Sequence, residues 1–210
     1  MFQAPSKRGQ SFAPLVATPP DHHYVGPVLW SPPVEAPSWW SETADGDCIY
    51  LTLGSSGAVE LLPTLLPALA ELPLRILVAT AGRTRLPALP RNVLVADYLD
   101  GIEAARRSRL VVCNGGSPTV QQAFSAGVPV LGIPSNTDQF LNMYWVKRAG
   151  AGLMLRPHRA SAQRVREAIR QLLEVRAYRD QAQRLAEEFR RYRAGERFTA
   201  LLDGWLSGEP

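Results

Sequence analysis

The stretch Val111–Asp138 reads VVCNGGSPTVQQAFSAGVPVLGIPSNTD. It opens in an apolar, β-branched run that stops at Asn114-Gly115-Gly116, and a second such run, Val128 to Ile133, stops at a polar cluster. Between them Thr119 to Ala126 has helical composition and is closed by Gly127. Strands that are apolar throughout are covered on both faces, and a helix joining two of them is a parallel crossover. The entry to the helix is equally telling. Two glycines let backbone approach a neighbour with no Cβ in the way. Ser117 suits the N-cap, and Pro118 at the first helical position surrenders an N–H that no helix partner needs.

Working outward, the same alternation continues in both directions. Towards the amino terminus lie CIYLTL (48–53), a helical segment from Ala58 to Leu72, LRILVAT (74–80), NVLVADYL (92–99) and a short helix near Ile102 to Arg107. Beyond residue 138 come a helix from Gln139 to Ala149, GLMLRP (152–157), and helices near Ser161–Leu173, Ala177–Tyr192 and Glu196–Leu206. The expected fold is α/β: a Rossmann-like, doubly wound, parallel six-stranded sheet with right-handed crossovers.

Residues 1 to 46 lack this periodicity and carry TPP, SPP and APS, so they read as an extended proline-rich leader or linker. The island YVGPVLW and the pair Trp39-Trp40 are more apolar than a free linker, and are expected to pack on the following domain or on a partner. The expected division is therefore leader 1–46, α/β domain 47–193 and a terminal helix within 194–210.

In doubly wound sheets ligands bind beyond the carboxyl ends of the strands. Three loops fall there: Gly54-Ser55-Ser56-Gly57, Asn114-Gly115-Gly116-Ser117, and Pro134 to Asp138. A helix start behind glycines presents unpaired N–H groups and the positive end of a dipole, which suits an anion and above all phosphate. Taken alone, Gly-Gly also serves as a plain tight turn; the Gly/Ser-rich loop at 54–57, on the same rim, favours the anion reading. The spacing is neither a P-loop nor GxGxxG.

Composition excludes several classes. Hydrophobic residues make up 46% of the 210, enough for a core, and no apolar run reaches membrane-spanning length. The first fifteen residues have no apolar core of signal-peptide length, so the expected location is cytoplasmic. Cys48 and Cys113 sit in strand-like runs with no CxxC, so they read as buried free thiols and no metal site is expected. The net charge of +4 is built from arginine, with Lys7 and Lys147 the only lysines. The basic third from Arg156 to Arg197 alternates with Glu167, Glu174, Asp180, Glu187 and Glu188, the pattern of solvated helix faces. No nucleic-acid motif accompanies it; an anionic membrane or acidic partner stays open on charge alone.

The run from Val111 to Leu155 resembles the donor-binding signature of the UDP-glycosyltransferase family, whose fold is GT-B. Gly115-Gly116, Ala126-Gly127-Val128-Pro129, Asp138-Gln139 and Asn142 fall at the family's spacings, IYLTLGSSG looks like the opening strand of its carboxyl-terminal domain, and YVGPVLW resembles its interdomain segment. The resemblance implies a nucleotide-sugar co-substrate, a UDP- or dTDP-sugar, and no other cofactor. It would place Gly54, Ser55, Asn114, Gly115, Gly116, Ser117 and Thr119 on the diphosphate, Tyr98 on the base, Gln122 on the ribose, and Asp138 and Gln139 on sugar hydroxyls. Three positions depart from the pattern. The family's histidine before Gly-Gly is Asn114, its ribose-gripping acid is Gln122, and its Pro-Gln is Asp100-Gly101.

The family's acceptor site and catalytic base lie in an amino-terminal domain for which this chain has no room. His22 and His23 fall in the leader and His158 after the last strand, none with an orienting carboxylate at motif spacing. The expected function is thus the donor half of an inverting, metal-independent hexosyltransferase, weakly active or inactive without an acceptor-binding domain or subunit. The alternatives are a nucleotide-sugar epimerase fragment and a non-catalytic partner that keeps the scaffold.

Overall fold

The computed structural model describes residues 22–86 and 89–208. The first part of the leader, including TPP and the segment read for an export signal, lies outside the described residues.

Six strands form one sheet: β1 (Cys48–Thr52), β2 (Arg75–Ala79), β3 (Val93–Ala96), β4 (Ser108–Cys113), β5 (Val130–Gly132) and β6 (Gly152–Met154). Their order is β3-β2-β1-β4-β5-β6 and all pairs are parallel. Among the described residues seven α-helices alternate with and follow them: α1 (Leu62–Ala70), α2 (Gly101–Arg106), α3 (Ser117–Ser125), α4 (Thr137–Arg148), α5 (Ala162–Glu174), α6 (Arg176–Arg191) and α7 (Ala194–Ser207). The strand order reverses between β1 and β4, so the crevice that such sheets use for ligands opens beyond Thr52 and Cys113.

Side chains alternate across each strand, which is why continuous apolar runs make two cores. Cys48, Tyr50, Leu77, Val111, Cys113 and Val130 face Phe124, Val146, Leu185 and Phe189 on one side. Ile49, Leu51, Ile76, Val78, Val112 and Leu131 face Leu65, Leu69, Val165 and Ile169 on the other. α3 packs on α6 over the first face, and α1 on α5 over the second.

Both cysteines are free and fully buried. Burial pushes the Cys48 thiol up to about 11, with Asp47 adding to the effect. Burial pushes Cys113 up to about 12, against the lowering effect of the Gly115 N–H. Neither thiol should react with Ellman's reagent until the chain unfolds. A thiol whose pKa is raised by folding leaves stability undiminished below its ordinary value of 9.0, and stability declines as pH climbs from there through 11 and 12. Thermal melts from pH 8 to 12 should show that decline, with a flatter profile for Cys113→Ala.

The leader from residue 22 onward is extended apart from a 3-10 turn at Ser38–Glu42, and it lies along the domain. Trp39 and Trp40 pack against the first core. Arg107 clasps the segment: its guanidinium donates to Trp40 O at 3.1 Å, Thr43 O at 2.6 Å and Thr43 Oγ1 at 2.7 Å, and lies 4.6 Å from the Trp40 ring centre. Farther upstream His23 meets Trp205 of α7 edge-on. Tyr24, Val28 and Trp30 stay exposed, as do Phe198, Trp205 and Leu206 of α7, a helix with no buried residue.

Candidate functional site: the rim beyond β1, β4 and β5

Three loops meet where the strand order reverses, and Ser56 is the knot. Its Oγ accepts from Gln139 Nε2 at 3.1 Å and, at the long distance of 3.5 Å, from Asn114 Nδ2. Its carbonyl accepts from Ser135 Oγ at 3.3 Å. The loops after β1, β4 and β5 are therefore one polar surface.

Gly115 turns with φ +79, which an L side chain rarely adopts, and a Cβ there would sit 2.4 Å from Met143 Cγ. Asn142, buried in α4, donates to Gly115 O at 2.6 Å and holds the turn. Two amides of this loop point inward: Gly115 N–H donates to Cys113 Sγ and Gly116 N–H to Asn114 Oδ1. The helix begins one residue earlier than the sequence suggests. Gly116 is the N-cap, Ser117 the first helical residue, and Pro118 the second. The reason is that Asn114, two residues upstream, already takes the Gly116 N–H, so the Ser117 hydroxyl caps nothing and instead accepts from Gln121 Nε2 at 3.1 Å. The open amides are those of Ser117 and Thr119 in the first turn, which carries no acidic side chain.

The remaining sequence-derived residues fall as follows. Gly54, at φ +61, faces Asn114, and Ser55 is exposed beside it. Tyr98 is exposed and donates to Ala81 O at 3.1 Å. Asp138 is exposed in the first turn of α4, whose N-cap Asn136 accepts from Gln139 N–H at 3.0 Å. Gln139 is buried, its Oε1 accepting from Ser135 N–H and Oγ while its amide holds Ser56. Gln122 lies apart from this knot. Its amide nitrogen donates to Trp30 O at 2.7 Å and Ser31 Oγ at 3.2 Å, tying the leader to α3. Asp100 caps α2 through Ile102 N–H and Glu103 N–H.

Ser56, Ser135 and Arg83 were missed in the sequence. The GSSG run pointed to a serine without saying which one would tie the loops. Arg83, after β2, carries no motif; its guanidinium donates to Gly57 O at 2.6 Å and Gly54 O at 3.3 Å. His158 sits in a 3-10 turn, Pro157–Arg159, after β6. No group of three metal-ligating side chains occurs among the described residues, and none of their helices is long and apolar enough to cross a membrane. Among the described residues, one surface hollow lies beside Arg109 and Arg176 and another beside Arg75 and Arg91, both at the opposite end of the strands from the rim.

The sheet order is that of the doubly wound nucleotide-binding class, and its relatives narrow the class to the carboxyl-terminal domain of GT-B glycosyltransferases. Residues 63–192 match the model of the family described as "Erythromycin biosynthesis protein CIII-like, C-terminal domain", and the chain belongs to that family. A PGL/p-HBAD biosynthesis glycosyltransferase of Mycobacterium tuberculosis is 54% identical over 177 residues, covering 84% of this chain and 41% of that protein. A PGL/p-HBAD biosynthesis rhamnosyltransferase of Mycobacterium bovis is 52% identical over 183 residues, covering 87% and 41%. The chain thus spans about two fifths of the length of these curated relatives. The solved spinosyn rhamnosyltransferase SpnG shares the fold with a TM-score of 0.77 at 24% identity, over 89% of this chain and 53% of that one.

Proposed function

We propose that the chain is the donor half of an inverting, metal-independent glycosyltransferase, moving a hexose from a dTDP- or UDP-sugar to an acceptor held by a separate amino-terminal domain. The observation that carries this reading is the convergence on Ser56 of three crevice loops beside the start of α3. Ser117 and Thr119 N–H groups, the hydroxyls of Ser55, Ser117 and Thr119, and the Gly54 and Gly115-Gly116 turns with Asn114 would hold the diphosphate. As the bond from the anomeric carbon to the leaving oxygen breaks, that oxygen gains negative charge beside the helix start, where fixed dipoles stabilise it without a metal. Tyr98 would stack on the base. Asp138 would accept from sugar hydroxyls, with Gln139 bracing the loop beside it, and Gln122 would keep the leader against the ribose side.

Two names support the donor class. One relative is called a rhamnosyltransferase, and SpnG is also known complexed with thymidine diphosphate, with a TM-score of 0.73 to this chain. The base that deprotonates the acceptor would come from the acceptor domain, and the exposed apolar strip of Tyr24, Val28, Trp30, Phe198 and Trp205 would meet it. A cytoplasmic location and the absence of any cofactor beyond the co-substrate belong to the same proposal.

Calorimetric titration of the chain with dTDP, UDP and GDP tests it. Saturable binding of one of them at millimolar affinity or better, with negligible sugar transfer by the chain alone, is the expected result. Silence towards all three would end the donor reading.

A further inference from the structure

One permanent charge at the rim has no role in the site as assigned. Arg83 follows a sharply kinked loop in which Ala81 has φ +56 and Gly82 φ +67. The left-handed region crowds an alanine Cβ against the following carbonyl, and a residue stays there only when its surroundings hold it. They do so from several directions. Gly82 N–H donates to Thr80 Oγ1 at 3.3 Å, Thr80 Oγ1 to Asp97 Oδ1 at 2.9 Å, and Ala81 N–H to Asp97 O at 2.7 Å. Tyr98 closes the kink through its hydroxyl on Ala81 O. The kink delivers the Arg83 guanidinium to the loop after β1, where one nitrogen donates to both Gly57 O and Gly54 O.

We propose that Arg83 is a positioning residue of the donor site, a clamp that fixes the 54–57 loop in its phosphate-receiving form; this rests on the donor reading above. The chain has no cis peptides among its described residues, and in a planar trans peptide the carbonyl and the following N–H point in opposite directions. A Gly54 carbonyl held towards Arg83 therefore turns the Ser55 N–H away from it, and Gly57 does the same for Ala58. A loop of two glycines and two serines would otherwise sample many orientations, and ordering it would weaken any ligand it held. The clamp also keeps a full positive charge on the loop that packs against the neutral Asn114. Through Tyr98 the same kink connects the base side of the site to its phosphate side.

The test compares dTDP with thymidine on the full chain, for wild type, Arg83→Gln and Arg83→Lys, with Arg179→Gln as a control that removes an exposed charge far from the rim. For Arg83→Gln, affinity for dTDP should drop about tenfold or more while thymidine affinity and the melting temperature hold. Arg83→Lys should recover part of the loss, and Arg179→Gln should match wild type. The clamp is overturned if Arg83→Gln binds dTDP like wild type, or if dTDP, thymidine and melting temperature fall together. Wild type that binds no nucleotide defeats the donor reading and the clamp with it, a result distinct from either of those.

Discussion

Gly115→Val is expected to abolish nucleotide binding and to unfold the chain at markedly lower temperature. Two penalties add at this position. The φ of +79 places a β-branched residue where L side chains crowd their own backbone. The new Cβ would also stand 2.4 Å from Cγ of Met143, a side chain with no exposure and little room to yield. Overpacking and left-handed strain together should cost about 3–5 kcal/mol, a large share of a domain's usual margin of about 5–15 kcal/mol. Gly116 makes the instructive contrast. Its φ of −64 is ordinary, and a Cβ would press only on Asn114 Oδ1, at 3.1 Å. Gly116→Val should therefore fold, melt within a few degrees of wild type, and weaken dTDP binding by disturbing the Asn114 carboxamide. Calorimetry and melting curves on the two variants separate an occupied site from a vestigial scaffold. If Gly115→Val keeps wild-type affinity for dTDP, the turn after β4 is not part of the site.

Arg107→Ala should detach the leader and cost about 2–4 kcal/mol, the range for charged hydrogen bonds to partly buried acceptors together with a lost ring contact. The substitution removes three hydrogen bonds to Trp40 and Thr43 and the stacking on Trp40. Thr43 is buried, so its carbonyl gains little from water in return. One opposing effect reduces the loss: Arg107 Nε is buried without a partner, and its desolvation disappears with the side chain. Arg107→Lys should not restore stability, because an ammonium lacks the planar group that stacks on the indole while reaching the carbonyls. Denaturant melts measure the effect, and limited proteolysis should cut between residues 22 and 46 in the variant before it cuts the sheet. A variant that melts with wild type and resists proteolysis equally would show that the leader is held by its tryptophans alone.

The alternation of strands and helices was legible because each buried strand is a continuous apolar run and the helices between β4, β5 and β6 close at Gly127 and Gly150. Boundaries moved where local chemistry was subtler. The segment read as a helix from Ala58 opens with a 3-10 turn at Val59–Leu61, and α1 starts only at Leu62, with Pro63 in its first turn. Pro63 suits that first turn, where its missing N–H costs nothing, so the helix begins beside it, although a second proline, Pro67, lies inside the same helix. The rim was legible in outline through its glycines. Which serine tied it together was not, since Ser55 and Ser56 are chemically identical neighbours that differ only in the direction their backbone gives them. The motif implied a ribose partner for Gln122, but nothing local to it signalled that its amide nitrogen would also hold a segment some ninety residues upstream, at Trp30 O and Ser31.

The order of the chain alone was enough to establish a two-faced parallel sheet with anion-suited turns at its carboxyl edge, because periodicity, glycine and proline act within a few residues of where they stand. Only the assembled sheet decided that β1 and β4 would be neighbours, that Ser56 would join three loops, and that Arg83 would close over the first of them. Those contacts link residues far apart in sequence, and a side chain's partner across such a distance is set by packing and register, which no local pattern encodes.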